Sequence, residues 1–257
     1  IAGIIFINVY NGVPLNDQIT VFEEACKISG YSNTPLNYNY VENFPRLKGL
    51  ILMMALVVKL FGDTWKTWQY LNVIGAFMLL VAIFKTVNAS HNDDFLLSQV
   101  AVLLFMFYPI WGYTAFVYGT LLSLTFSSWG FYGVVRFNIT KRIRYVLLSL
   151  ICFPIGMQMH QSAAIAIIAA IVYLALHIVG KKQIGVFIVI SIYLCVTTLG
   201  SNIVASKLYS MVTNHTYEDK SITATEYIYM GITSDTKSGG PGSIDGSFSI
   251  FSEQYPD

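Results

Sequence analysis

The chain has 257 residues, of which 55% are hydrophobic and only 11% are charged, and its mean hydropathy is +0.59. Soluble domains carry about 25% charged residues, so this chain has too few charges to cover a water-exposed globule. Its net charge of +1 also lacks the basic excess of a nucleic-acid-binding protein. The composition therefore excludes an ordinary soluble enzyme and a disordered chain. It predicts an all-α, polytopic bundle of membrane helices.

Apolar runs of unequal length follow one another along the chain. The first, 1–10, is about half the roughly 20 residues that a membrane span needs. We therefore expect a fragment that lacks both ends and begins inside its first membrane helix. Six full spans are predicted over about 67–87, 95–112, 117–135, 145–160, 163–179 and 184–204.

Polar segments divide the expected organisation into two parts. Residues 1–204 are predicted to form the transmembrane module, with 11–66 as its first external loop. Residues 205–257 contain a Gly/Pro cluster and are predicted to form a truncated, loosely ordered external segment. Short helical pieces are expected within it near 203–212 and 224–230.

The apolar run 47–61 decides the predicted topology. It has about 15 residues, with Lys48 and Lys59 near its ends, which favours an amphipathic helix lying in the membrane interface. If this run does not cross the membrane, the later basic residues fall on the cytoplasmic side, as the positive-inside rule requires. Those on the cytoplasmic side would be Lys85, Arg136, Lys141, Arg142, Arg144, Lys181 and Lys182.

Acidic residues mark a helical pattern in the first loop. Asp17 stands at its start, and helical spacing puts Glu24 on roughly the same face. One interpretation is structural, with Asp17 as an N-cap and Glu23 and Glu24 on a solvated face. The other is functional, with an acid at the bilayer rim that accepts a proton from a hydroxyl or holds a divalent cation.

Two further external features are candidates for binding. Arg46 and Lys48 follow Pro45 at the start of an apolar helix, which suits a lipid phosphate, although both side chains could equally reach out to lipid head groups. An aromatic corner contains Tyr113 and Tyr118. It is interpreted either as a membrane aromatic belt or as a platform for a sugar or lipid.

Several short motifs give the sequence a resemblance to a known superfamily. They are Pro14-Leu15-Asn16-Asp17-Gln18 with Val21 and Ala25, Tyr40, Phe44-Pro45, Gly49-Leu50, Leu60-Phe61-Gly62, Tyr108-Pro109, Val117-Tyr118, Tyr229-Met230-Gly231-Ile232 and Gly239-Gly240-Pro241-Gly242. Together they resemble bacterial membrane glycosyltransferases of the GT-C superfamily, in the branch of protein O-mannosyltransferases and aminoarabinose transferases. The resemblance implies a helix-bearing first external loop, a non-spanning amphipathic helix and about seven core spans.

The resemblance also implies an activity. Such proteins transfer a sugar from a polyprenyl-phosphate carrier to an acceptor on the external face, and Asp17 occupies the position of their catalytic base or metal ligand, for Mg or Mn. Many members have a second acid where this chain has Gly119-Thr120, and a lysine where it has Gln158, His160 and Gln161. His160 is the nearest substitute for that lysine.

The expected function is therefore a glycosyltransferase of the bacterial cytoplasmic membrane. Asp17 is its expected catalytic residue and possible metal ligand, and the expected substrate-binding residues are Glu24, Arg46, Lys48, Tyr113, Tyr118, Gln158 and His160. The alternative is a non-catalytic membrane protein of the same fold that binds lipid-linked sugar or scaffolds an envelope assembly. A transporter is disfavoured because the predicted spans contain almost no ionisable residues.

Overall fold

A computed structural model describes residues 2–10, 12–91, 93–107, 109–178 and 184–217. Every regular element in these ranges is helical, which confirms the predicted all-α class for the described part of the chain. The elements are α1 (Ala2–Tyr10), α2 (Asp17–Ile28), α3 (Tyr38–Asn43), a 3-10 turn (Pro45–Leu47), α4 (Lys48–Phe61), α5 (Trp65–His91), α6 (Asp94–Met106), α7 (Pro109–Thr114), α8 (Thr120–Thr140), α9 (Ile143–Met159), α10 (Ala163–Ile178) and α11 (Ile184–Thr213).

The described residues fall into two units. The larger lies within Ile1–Asn37 and Arg46–Thr216 and holds every helix named above except α3. The smaller lies within Tyr38–Pro45 and Tyr217–Asp257. In it the rings of Tyr38 and Tyr217 are 5.8 Å apart between centroids. The helical piece predicted near 224–230 and the loose segment predicted over 233–257 lie outside the described residues.

Several element boundaries differ from the sequence-based expectation by a few residues, and two differ for a local reason. The predicted span 95–112 is divided into α6 and α7, and α7 begins at Pro109. Proline lacks the N–H that a continuing helix would need, so it belongs in the first turn of a new helix. The helical piece predicted near 203–212 is confirmed, but it continues the predicted span 184–204, so α11 runs to Thr213. Ala205 and Tyr209 lie one turn apart in it and are both buried.

Small residues form the contact between α8 and α9. A Cβ added to Gly130 would lie 2.9 Å from the Phe153 ring, and one added to Gly133 would lie 2.6 Å from the Tyr145 carbonyl oxygen. The Ser149 hydroxyl donates to the Gly130 carbonyl at 2.8 Å. These glycines therefore let the two helix backbones approach closely, as small residues do between membrane helices.

Hydrogen bonds to backbone carbonyls join α5 to α8 in the same way. The Thr125 hydroxyl donates to the Gly75 carbonyl at 2.9 Å, and the Trp129 indole donates to the Met78 carbonyl at 3.0 Å. The apolar core continues through α8, α9, α10 and α11, where it contains Val134, Phe153, Ile167, Ala170, Leu174 and Leu194. Helices α5, α8 and α9 thus provide a closely packed frame.

Large apolar side chains cover the outer faces of the helices. Ile165 and Leu176 of α10 are 72% and 75% exposed, and Met106 of α6 is 73% exposed. Within the described residues, one helical segment, Trp65–Ser90, is long and apolar enough to cross a membrane. The apolar helical stretches Asp94–Leu104, Ile143–Met159 and Ala163–His177 are shorter.

Candidate functional site

Three side chains of α5 hold the loop that connects α7 to α8. All three donate to backbone carbonyls of residues 115–118, which have no helical partner to bond. The bonds run from the Trp68 indole to Tyr118 (3.1 Å), from the Gln69 amide to Ala115 (2.8 Å) and from the Asn72 amide to Phe116 (2.7 Å). Because these three side chains are buried, the loop is fixed to the frame by bonds that water cannot replace.

The turn between α9 and α10 packs directly on this loop. A Cβ added to Gly119 would collide with the Met159 carbonyl oxygen, so the two backbones are in contact. The rings of Tyr118 and His160 lie 6.0 Å apart between centroids in an edge-on arrangement. The Ser123 hydroxyl also donates to the His160 carbonyl at 3.0 Å. Tyr118 and His160 are therefore positioned together by the fold.

The start of α4 approaches the same turn. Arg46 Nη1 donates to Gln161 Oε1 at 2.7 Å, and a Cβ added to Gly49 would collide with the Gln158 side chain. Lys48, next to Gly49, is only 5% exposed. This end of the bundle thus gathers two cationic side chains and two amides.

Gln158 also connects the site to α11. Its Nε2 donates to Ser201 Oγ at 2.9 Å and to Asn202 Oδ1 at 2.7 Å. Its other face meets α4 at Gly49. A single amide side chain therefore spans the gap between α4 and α11 at the α9–α10 turn.

A row of aromatic rings runs across the loop to His160. The row consists of Tyr113, Phe116, Tyr118 and His160, and we call it the aromatic row. Successive centroids are 6.0, 6.1 and 6.0 Å apart, and each pair meets edge to face. Tyr113 and Phe116 are exposed, so one end of the row offers ring faces to a ligand.

Asp17 lies in the first turn of α2 and is exposed. The N-cap position belongs to Asn16, so Asp17 does not cap the helix. Within the described ranges, no hydrogen bond or ion pair engages its carboxylate. Its neighbour Gln18 accepts the Val117 N–H at 2.9 Å through Oε1, which ties this end of α2 to the loop that carries Tyr118.

Glu24 is the buried acid of α2, with 1% of its surface exposed. Its Oε1 accepts from Lys27 Nζ at 2.7 Å and from the Asn37 N–H at 3.0 Å. Its Oε2 is buried and has no hydrogen-bond partner among the described residues. Glu24 therefore anchors the segment after α2, and it stands apart from the contacts that join Arg46, Tyr118, Gln158 and His160.

His160 is a neutral hydrogen-bond donor in this environment. Its Nδ1 accepts the Ser162 N–H at 3.2 Å and also contacts the Ser162 hydroxyl at 2.9 Å, which assigns the proton to Nε2. Burial lowers the pKa of its imidazole below the ordinary value of 6.5, because desolvation disfavours the charged form. The side chain thus offers one N–H and no fixed positive charge at neutral pH.

A divalent cation at Asp17 would have few protein ligands among the described residues. Mg²⁺ usually keeps several waters and is held by only one or two carboxylates together with substrate phosphates. Among the residues that the structure describes, no three His, Cys, Asp or Glu side chains come together. Gly119 and Thr120 also supply no second acid. We therefore propose no step that uses a metal.

An apolar cavity of about 560 Å³ adjoins the polar end of the bundle. It lies between α4, α5, α8 and α9, and its lining includes Met53, Leu56, Trp68, Ile74, Met78, Leu122, Trp129 and Met159. From Trp68 to Met78 the lining extends about 15 Å along α5, at 1.5 Å per residue. Leu56 and Ile74 are also more than half exposed, so the cavity opens on the outer face of the bundle.

The cavity and the polar end share a boundary. Trp68 lines the cavity and bonds to Tyr118, and Met159 lines it and precedes His160. Of the residues proposed from sequence, Arg46, Lys48, Tyr118, Gln158 and His160 gather here, whereas Asp17 is connected through Gln18 and Val117. The sequence reasoning missed Gln18, Trp68, Gln69 and Asn72. Gln69 and Asn72 had a signal, since they lie three apart inside an apolar helix.

Comparisons of the chain with known protein families, curated proteins and solved structures find no match. A functional assignment therefore depends on the site's own geometry and on the motifs that the sequence carries.

Proposed function

We propose that this protein is a multi-pass membrane glycosyltransferase that moves a sugar from a polyprenyl-phosphate donor to a cell-envelope acceptor on the external face. The observation that carries the proposal is the junction of an apolar cavity with a cationic and aromatic end. A polyprenyl phosphate has the matching halves, a long hydrocarbon chain and an anionic head. The junction at Trp68 and Met159 is where those halves would meet.

The distribution of side-chain sizes supports a multi-pass arrangement in the bacterial cytoplasmic membrane. Large apolar side chains are exposed on α1, α6, α10 and α11, whereas glycine, serine and threonine face inward on α8 and α9. A soluble bundle has the opposite pattern, because large apolar side chains gain most from leaving water. With lipid outside, close packing of small residues is what holds helices together.

In the proposed reaction, the fixed donors stabilise the leaving phosphate. Arg46, Lys48 and the Nε2–H of His160 would bind the donor's phosphate oxygens, and the aromatic row would lie against the sugar. The acceptor's hydroxyl oxygen forms a bond to the anomeric carbon, and the bond from that carbon to the phosphate oxygen breaks. The electron pair leaves with polyprenyl phosphate, and the hydroxyl proton passes to Asp17.

A second candidate is a non-catalytic protein that binds lipid-linked sugar or scaffolds an envelope assembly. Two observations favour it: the exposure of Asp17 and the bond that already links Arg46 to Gln161. Binding alone needs the cavity and the aromatic row, but it does not need a base. The two candidates therefore predict different effects on sugar transfer when the negative charge of Asp17 is removed.

The test is a transfer assay with the full protein in membrane vesicles, using radiolabelled lipid-linked sugar and cell-envelope acceptor. We expect Asp17→Asn to lower transfer by roughly 10²-fold or more, the usual scale for general-base catalysis, with membrane level and donor binding unchanged. The matched control is Glu23→Gln, an exposed acid on the same helix, which should leave transfer unchanged. Full transfer by Asp17→Asn, with donor binding intact, would favour the non-catalytic candidate.

Donor binding has its own variant. Arg46→Ala removes a charge-assisted contact of about 1.5–3 kcal/mol, so we expect donor affinity to fall by roughly tenfold or more. Mass spectrometry of lipid-linked sugars, in cells with and without the gene, would identify the sugar that accumulates. An unchanged lipid-linked sugar pool would contradict the transferase proposal.

A further inference from the structure

Two arginines lie against one tyrosine ring at the turn between α8 and α9. Arg136 lies near the end of α8, and Arg144 lies in the first turn of α9. Their Cζ atoms are 5.5 and 4.9 Å from the centre of the Tyr145 ring, and Arg144 Nη2 donates to Tyr145 Oη at 3.2 Å. The ring therefore holds both guanidinium groups at the same turn, which reduces the entropy lost when they bind a ligand.

These charges have no acidic partner in the described part of the chain. Lys141 and Arg142 complete a group of four cationic side chains at this turn, and among the described residues no ion pair joins any of them to a carboxylate. Arg136 Nε is buried without a hydrogen-bond partner among the described residues. Positive charge is thus concentrated here with donors left over, which is the electrostatic signature of an anion site.

The backbone adds to the same signature. The N-cap residue of α9 is Arg142, and its side chain makes no capping hydrogen bond. The N–H groups of Ile143 and Arg144 in the first turn of α9 therefore need an acceptor, and the helix dipole is positive at this end. Both features favour an anion beside Arg144.

We propose that the α8–α9 turn binds the phosphate group of an anionic phospholipid. A guanidinium group can donate two parallel hydrogen bonds to phosphate oxygens, so Arg136 and Arg144 are suited to bind a phosphate group. Ile139, Ile143 and Leu147 are 50%, 68% and 52% exposed beside the arginines. These apolar side chains would contact acyl chains, so they favour a lipid head group over free phosphate as the source.

This site is separate from the candidate transferase site. It lies at the opposite end of α9, since Arg144 is in the first turn and His160 follows the last. It needs α8 and α9 to lie in a bilayer, but it does not need the transfer reaction. If the phospholipid site were wrong, the proposed glycosyltransferase function would be unaffected. If the glycosyltransferase function were wrong, the phospholipid site would be unaffected.

Native mass spectrometry of the full protein, purified in detergent, tests the proposal. We expect added phosphatidylglycerol to remain bound and phosphatidylcholine, which has no net charge, to be lost. Arg144→Gln should reduce phosphatidylglycerol retention by roughly tenfold, as expected for a charge-assisted contact. Lys85→Gln, which removes one exposed charge from α5, is the matched control and should retain the lipid as wild type does.

Two further measurements keep the outcome decisive. Arg144 is exposed, so its replacement should not disturb folding, and the melting temperature of each variant checks this. Arg136→Lys keeps the charge but loses the planar fork, and it should also retain less lipid. Retention of phosphatidylglycerol by Arg144→Gln at the wild-type level would overturn the site. If the protein bound inorganic phosphate but did not retain phosphatidylglycerol, the site would be a phosphate site and the lipid proposal would be wrong.

Discussion

Replacing Gly119 by alanine tests whether the loop and the α9–α10 turn pack as a unit. Gly119 precedes α8 with φ −77° and ψ −5°, a conformation that alanine adopts without strain. The added Cβ, however, would collide with the Met159 carbonyl oxygen and lie 3.0 Å from Leu50 Cδ1. Because the first obstacle is backbone, no side-chain rotation relieves it, and either the loop or the turn must move.

The expected cost follows from this collision. Overpacking a close contact destabilises a protein by about 1–3 kcal/mol, and alanine's conformational advantage over glycine recovers at most about 1 kcal/mol. For a chain of this size each kcal/mol corresponds to roughly 2–4 °C in melting temperature. Displacement of Tyr118 from His160 should also weaken donor binding by about tenfold, since small misplacements at a site have large effects.

The assay is thermal unfolding in detergent combined with donor binding by the same preparation. Gly112→Ala is the matched control, because a Cβ there meets nothing within 4 Å. It should leave both the melting temperature and the donor affinity at or above wild type. If Gly119→Ala matched Gly112→Ala in both measurements, the contact between the loop and the α9–α10 turn would be wrong.

Three other predictions address the cavity, His160 and the topology. Ile74→Trp should fill the cavity and weaken binding of long-chain donors more than short-chain ones in a binding assay, whereas Ile192→Trp on the exposed face of α11 should not. Burial lowers the His160 pKa below 6.5, so the unfolded chain takes up a proton first as pH falls. Acidification from about pH 7.5 to 5.5 should then lower the melting temperature of wild type more than that of His160→Asn. In a cysteine-free chain in intact cells, cysteine at Asn138 should not react with an impermeant thiol reagent, and cysteine at Asn33 should; the reverse would refute the topology.

Hydropathy predicts the helices of this chain well. A long apolar run that leaves water must bond its backbone N–H and C=O groups within itself, and a helix does this. The run 47–61 forms α4, and 145–160 forms α9 within two residues at either end. Two boundaries were missed for local reasons. Pro109 restarts a helix inside an apolar run, and the helical piece predicted near 203–212 joins the preceding span because Ala205 and Tyr209 are both buried.

The arrangement of the site could not be obtained from periodicity in the same way. Arg46 bonds to Gln161 across 115 positions, and Gln18 bonds to Val117 across 99. Apolar pattern tells which residues leave water, but it does not tell which helix lies beside which. The resemblance named Gln158 together with the cationic and aromatic residues of this end, whereas the bonds that connect these residues came only from the structure.

Gln69 and Asn72 show what the sequence alone can predict about contacts between elements at this end of the bundle. An amide inside an apolar helix loses its bonds to water, a cost that is recovered only if it meets another polar group. The carbonyls of α5 are already bonded within the helix, so the partner must lie on another element, and here it is the loop 115–118. Gln69 and Asn72, three residues apart, therefore predict a polar segment packed against that face of α5. Since loops fixed by a rigid frame are where binding residues lie, the same pair also indicates the end of the bundle at which Tyr118 and His160 meet.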